Sequence, residues 1–151
     1  MDTLKEVANE ISTRIQNGEK LKNLGYIINE YNGTDWKKYC KFCNFEYKRN
    51  HVFQNNIIDI YVICWSENQN SGIHDHPDNG CLVKVMKGNL IEREYHKENL
   101  ENVLNEIHAF EGDISYQEGS NKLHSIVNNN IKTVTLHIYS PPKFKSTFYS
   151  T

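Results

Sequence analysis

Proline is scarce, with 3 in 151 residues, and no apolar run approaches the roughly 18 residues needed to cross a bilayer. The opening residues, MDTLKEVANEIS, lack the apolar stretch of a secretion signal, so a cytoplasmic protein is expected. Lys and Arg number 17 against 19 acidic residues, giving a formal charge of −2, and they gather into no stripe. That excludes the electrostatic footprint of a nucleic-acid or anionic-membrane binder. Linkers, repeats and low-complexity tracts are also missing, which predicts one domain over 1–151. Four cysteines (Cys40, Cys43, Cys64 and Cys81) without a secretion signal are expected to be reduced, not bridged.

What remains is the composition of a soluble globular chain, 38% hydrophobic and 24% charged, long enough for a sizeable core. Residues 1–42 read as helical. Leu4, Val7, Ile11 and Ile15 recur at three- to four-residue spacing behind Asp2, the expected N-cap, and Gly18 marks the end. A second apolar set (Leu21, Leu24, Ile27, Ile28, Tyr31) stops before Asn32-Gly33, and Thr34 is expected to cap a short turn. From residue 45 to 151, short β-branched and aromatic stretches follow one another: Ile57–Trp65, Leu82–Met86, Leu90–His96, Asp113–Tyr116, Ser125–Val127, Thr133–Tyr139 and Phe144–Tyr149. Lys87-Gly88-Asn89 is a tight turn between two of them. Many short strands without intervening helices predict an antiparallel sandwich or barrel, with the helical segment packed on it.

His74-Asp75-His76 is the most informative stretch. On a strand, residues two apart face the same way, so two imidazoles stand side by side as chelation requires. Alone, the pattern fits ordinary hydrogen-bonded histidines equally well. His124, on a later strand, offers a third ligand inside a small barrel, and three neutral imidazoles leave a metal its full charge and open positions. Imidazole suits Zn, Cu, Fe and Ni alike, so the ligands do not choose the metal.

The residues around these histidines resemble a known family. His74-x-His76, four residues, Cys81, six residues and Gly88 follows the first cupin motif, with Cys81 where cupins usually carry a Glu ligand. His124-x3-Asn128 is similar to the end of the second motif. Tyr47-Lys-Arg49-Asn50, Ile63-Cys64-Trp65 and Val134-Thr-Leu-His137-Ile-Tyr139-Ser140-Pro141-Pro142 complete a resemblance to cysteine dioxygenase over residues 45–149. It implies a mainly β fold, the cupin-type double-stranded β-helix (a small jelly-roll barrel). It implies an enzyme that binds Fe(II) through His74, His76 and His124 and converts L-cysteine and O2 to cysteine sulfinic acid; a monomer is expected. Arg49 would pair with the substrate carboxylate, helped by Tyr47. Tyr139 would place a phenol near the substrate, oriented by His137, with Thr135 supplying a hydroxyl toward it. Cys81 and Tyr139 match a pair that forms a thioether in many eukaryotic members.

Read without the resemblance, Arg49 is a solvated charge and His137 beside Tyr139 is strand packing. Cys40-x2-Cys43 has the spacing of half a zinc site, but the other half is missing, which leaves two small reduced cysteines. His51, His96 and His108 are expected at the surface without partners, and the Lys and Glu residues of 92–106 as a solvated segment. Two other functions stay open at this point. One is a dioxygenase for another small thiol acid such as 3-mercaptopropionate, whose relatives tend to carry Gln at the Arg49 position. The other is a non-catalytic metal-binding cupin that senses a small molecule.

Overall fold

A computed structural model describes residues 1–128 and 130–150. Helix α1 (Leu4–Gln16) buries Leu4, Val7, Ala8 and Ile11 on one side, as the spacing predicts. Its cap is Thr3, one residue later than expected: Thr3 Oγ1 accepts the Glu6 N–H at 3.1 Å, and the Glu6 carboxylate accepts the Thr3 hydroxyl at 3.1 Å. Beyond the C-cap Asn17, Gly18 takes φ +92°, and the N–H groups of Gly18 and Glu19 return to Ile15 O and Arg14 O. That is a Schellman end, which a glycine reaches without Cβ strain.

The second apolar set does not form one helix. Gly25 interrupts it, dividing the segment into a 3-10 turn, Leu21–Asn23, and α2 (Gly25–Asn29). Thr34 precedes a 3-10 turn, Asp35–Tyr39, but its side chain caps nothing. Asp35 ties this region together, accepting the Leu4 N–H at 2.9 Å and the Tyr31 hydroxyl.

Among the described residues, ten strands follow in two antiparallel sheets. The first has the order β1 (Lys48–Gln54), β2 (Asp59–Trp65), β9 (Thr133–Tyr139), β4 (Cys81–Lys87), β7 (Ile114–Gln117). The second runs β10 (Phe148–Tyr149), β3 (Ile73–His74), β8 (Lys122–Val127), β5 (Asn89–His96), β6 (Asn99–Phe110). From β2 onward the chain changes sheet repeatedly, so strands far apart in sequence share one interior. Gly88, at φ +85°, makes the tight turn from β4 to β5. The Ser140–Pro141 peptide is cis.

Strict alternation divides the first sheet's side chains. Ile60, Val62, Cys64, Leu82, Val134, Leu136 and Ile138 face outward and bury themselves under the helices. Ile63, Trp65 and Val85 face inward against Leu90, Ala109 and Ile126 of the second sheet. The face left over for chemistry is therefore the inward one, toward the end of the barrel where β3 and β10 lie.

Two strands were not expected. β1 is polar and sits at a sheet edge, with a register shift between His51 and Phe53. β6 lies within and beyond the segment read as solvated. It is mostly exposed, but it pairs along its length with β5. The last strand is shorter than expected, only Phe148–Tyr149. Among the described residues, no helix is long and apolar enough to cross a membrane.

Candidate metal centre

His74 and His124 face each other directly across the β3–β8 pair. His76 lies beyond the end of β3, so strand alternation does not place it. Its backbone N–H bonds Gly119 O at 3.0 Å, and Asp75 beside it accepts the Thr147 N–H at 2.7 Å. The three rings converge: His124 Nε2 lies 2.7 Å from His76 Nε2 and 2.9 Å from His74 Nε2. Among the described residues, no other group of three His, Cys, Asp or Glu comes close enough to hold a metal, Cys40 and Cys43 included.

The outer ring nitrogens explain why the inner ones carry lone pairs. His74 Nδ1–H donates to Gly72 O at 3.0 Å, and His124 Nδ1–H donates to Glu92 Oε1 at 2.9 Å. Both rings are thereby held with Nε2 bare. Burial pushes all three imidazoles below the usual histidine range, and the neighbouring rings lower His76 and His124 further. The bare Nε2 atoms of His74 and His124 repel one another, His76 Nδ1 is buried without a partner, and a divalent cation between the three rings removes the conflict. The donor set therefore fits a metal.

Glu92 is the functional residue that sequence reasoning missed. It is 2% exposed, and Gln117 Nε2 bonds both Glu92 at 2.8 Å and the buried Glu94 at 3.0 Å. Burial raises the Glu92 carboxyl, while hydrogen bonds from Gln117 and Ser115 lower it. The signal was available: Glu92 stands two residues from Leu90 on a strand, on the same inward face. His51 is exposed, as expected, and its Nε2 lies 2.8 Å from the buried Asp59 carboxylate.

Beside the histidines, β9 carries a polar line. Trp65 Nε1–H donates to Thr135 Oγ1 at 2.9 Å. Thr135 Oγ1 lies 2.7 Å from His137 Nε2 but 3.5 Å from Ile63 O, so its proton goes to the ring. His137 Nδ1 then carries the hydrogen and faces Tyr139 Oη at 3.3 Å. Burial keeps His137 neutral, and it raises Tyr139 well above the usual phenol range. Tyr139 thus retains a proton that the line behind it does not consume. Cys81 pairs directly opposite Tyr139 across β4–β9, and burial keeps its thiol protonated.

Arg49 is exposed on β1, its guanidinium 4.4 Å from the Tyr61 ring and 5.7 Å from that of Tyr139. Tyr47 stacks on Trp65 at 4.7 Å. Among the described residues, no carboxylate pairs with Arg49. Tyr47, Arg49, His74, His137, Tyr139 and Phe148 line one narrow cleft. Every residue expected at the site except Cys81, His76 and His124 borders that cleft, and those three sit just behind it.

A family model described as cysteine dioxygenase type I matches residues 3–151. The chain is 36% identical over 120 residues to cysteine dioxygenase type 1 of Rattus norvegicus, which is 75% of this chain and 60% of that protein. It is 32% identical over 139 residues to the Danio rerio protein of the same name, 83% and 66% of the two chains. The chain thus spans about 60% of the length of the first of these relatives. Among solved structures it is similar to a Klebsiella pneumoniae protein with a double-stranded β-helix domain (TM-score 0.62, 19% identity, 77% of this chain and 95% of that one). It is also similar to a cupin superfamily protein from Desulfitobacterium hafniense (TM-score 0.53, 11% identity, 66% and 82%). These two likenesses establish the fold: a cupin-type double-stranded β-helix.

Replacing Glu92 with Gln should weaken divalent-metal binding about tenfold or more, read by competition titration against a chelator, because His124 loses its charged acceptor. The metal-free protein should also be acid-sensitive. His74, His76, His124 and His137 stay neutral when folded, whereas unfolded they take up protons near the ordinary value of 6.5. Stability is therefore full above that pH and falls as pH drops through it, by about 1.4 kcal/mol per pH unit for each histidine. Urea midpoints measured from about pH 7.5 to about pH 5 check this. A flat profile contradicts the neutral rings.

Proposed function

The chain belongs to the cysteine dioxygenase type I family, and on that premise we propose that it oxidises L-cysteine with O2 to cysteine sulfinic acid, using Fe(II) held by His74, His76 and His124. The observation that carries this reading is one cleft shared by a metal-ready histidine cluster, an unpaired Arg49 and the phenol of Tyr139. A binding cupin has no need of the last two. When bound, the iron supplies a Lewis-acid centre where a thiolate forms at neutral pH and meets dioxygen.

The protein's own groups do the rest. Arg49 reads the substrate carboxylate: its guanidinium lies over the Tyr61 ring, and among the described residues no carboxylate occupies its N–H groups, which suit a two-point contact. Tyr47, stacked on Trp65, walls the cleft beside it. Tyr139 donates its proton toward the oxygen that gains charge, and Thr135 and His137 hold the phenol in place. Three neutral imidazoles with no anionic ligand leave room for the thiolate's charge, and Glu92 lends its own charge from one bond farther out. Phe148 lies against His74 with ring centroids 5.5 Å apart and shields that side from water.

The cross-strand pairing of Cys81 with Tyr139 supports a thioether between them, formed with loss of two hydrogen atoms during oxidative turnover. We also place the protein in the cytoplasm as a monomer, consistent with a fold in which no two cysteines are bridged among the described residues.

Aerobic turnover of cysteine should give a product heavier by two oxygen atoms, seen by mass spectrometry on a sample whose iron is measured in parallel. A clear preference for 3-mercaptopropionate in O2 uptake overturns the substrate, and bound zinc with no thiol-dependent uptake overturns the enzyme. Arg49→Ala should lower kcat/KM for cysteine by roughly ten- to a hundredfold, the loss of a charge-assisted pair of about 1.5–3 kcal/mol. Cys81→Ser should abolish any crosslinked band on a denaturing gel and keep its iron. Iron loss in that variant makes Cys81 a ligand.

A further inference from the structure

Away from the metal centre, the chain brings together two thiols that the proposed reaction does not use. Cys40 ends the 3-10 turn Asp35–Tyr39, and Cys64 lies on the outward face of β2. Cys64 Sγ is 3.8 Å from Tyr39 O, the carbonyl next to Cys40, and Cys40 packs against the buried cluster that contains Cys64. Asn50 Nδ2 donates to Cys64 Sγ at 3.6 Å from the other side. Cys64 is wholly buried. Cys40 is half-buried and opens onto a cavity of about 570 Å³.

The chemistry of that cavity is specific. Trp36, Phe42 and Met86 give it an apolar lining, and Lys37, Lys87 and Lys132 stand against a single acid, Glu111. The Lys132 ammonium sits 5.0 Å over the Phe42 ring, so at least one cation is held at the cavity and not free in solvent. Cys43, three residues on, does not line the cavity. A thiol in the lining of a cationic cavity, with a second, buried thiol packed in the same cluster, matches what thiol–disulfide exchange needs: an accessible attacker and a resolver.

We propose that Cys40 and Cys64 form a redox-active thiol pair that closes into a disulfide by exchange with a small aliphatic disulfide bearing carboxylates, bound in this cavity. The Cys40 thiolate attacks one sulfur of the incoming disulfide, forming a mixed disulfide and releasing one small thiol, which takes up a proton. The Cys64 thiolate then attacks Cys40 Sγ, and the second small thiol leaves with the other proton. Two protein thiols are oxidised by two electrons, and one disulfide is reduced to two thiols. Burial raises both protein thiols, Cys64 to about 12, while Lys87 and Lys37 pull Cys40 back down. This order of accessibility and charge makes Cys40 the attacker. The pair joins the helical segment to β2, whose next residue, Trp65, supports Thr135.

The test uses the full chain, reduced and kept free of oxygen, so that it is independent of the proposed oxidation. The probes are dithiodipropionate (anionic), hydroxyethyl disulfide (neutral) and cystamine (cationic). The expected result is loss of two hydrogen atoms, with Cys40 linked to Cys64 in the non-reduced peptide map. At low salt, dithiodipropionate should react at least tenfold faster than cystamine, a ratio that shrinks in high salt and in a Lys87→Gln, Lys132→Gln double variant. Cys40→Ser should block the reaction and Cys43→Ser should leave it intact; both positions are partly exposed, so neither variant depends on altering the buried Cys64. A Cys40–Cys43 bridge, a mixed disulfide that persists on Cys40, or equal rates for the anionic and cationic probes overturns the proposal.

Discussion

Lone pairs that point at one another repel, and an isolated chain has no reason to gather three of them. Here His124 Nε2 stands 2.7 Å and 2.9 Å from its two neighbours. Holding them so close requires that the rings be positioned from outside the cluster. Gly72 O grips the His74 ring, Glu92 grips the His124 ring, and His76 is placed through its backbone, which is tied to Gly119. The pattern of buried polar groups follows from that requirement. Gln117 is inside the barrel because Glu92 needs a donor, and Glu94 is inside because Gln117 has a second N–H to place. A wholly apolar interior would pack more easily, but it could not orient the rings.

What the sequence reveals about this arrangement depends on how much of each strand is buried. β9 was legible to its exact ends because it is central, and Thr133–Tyr139 alternates without interruption. β1 and β6 were not, because both sit at sheet edges, where one side meets solvent and polar residues blur the period of two. Their exposure was legible; their pairing was not. The same blurring hid Glu92, whose charged neighbours Arg93 and Glu94 made the segment look solvated. His76 was placed on the right side for the wrong reason: loop hydrogen bonds aim it, not strand geometry. The roles proposed for Arg49 and Tyr139 rest on the family resemblance, since neither residue type is unusual in a strand.

Charge is distributed with similar economy. The one cation in the cleft, Arg49, rests on aromatic faces, which attract it without neutralising it. A carboxylate in that place would have satisfied the guanidinium and closed the cleft to an anionic ligand. The carboxylate bonded to the histidine cluster, Glu92, lies on the far side of His124, so its charge and that of Arg49 flank the cluster without cancelling.

The brevity of β3 has a consequence for how the molecule assembles. Two residues give it a single register pair with β8, yet β10 and the cleft wall at Phe148 hang from its other edge. A metal held by His76 and His124 would join positions 48 apart in the chain and close that long loop with a few strong bonds. It would then serve as the clasp that the short strand cannot provide for itself. Metal binding at the three histidines would thereby be coupled to the stability of the cleft wall that hangs from β3.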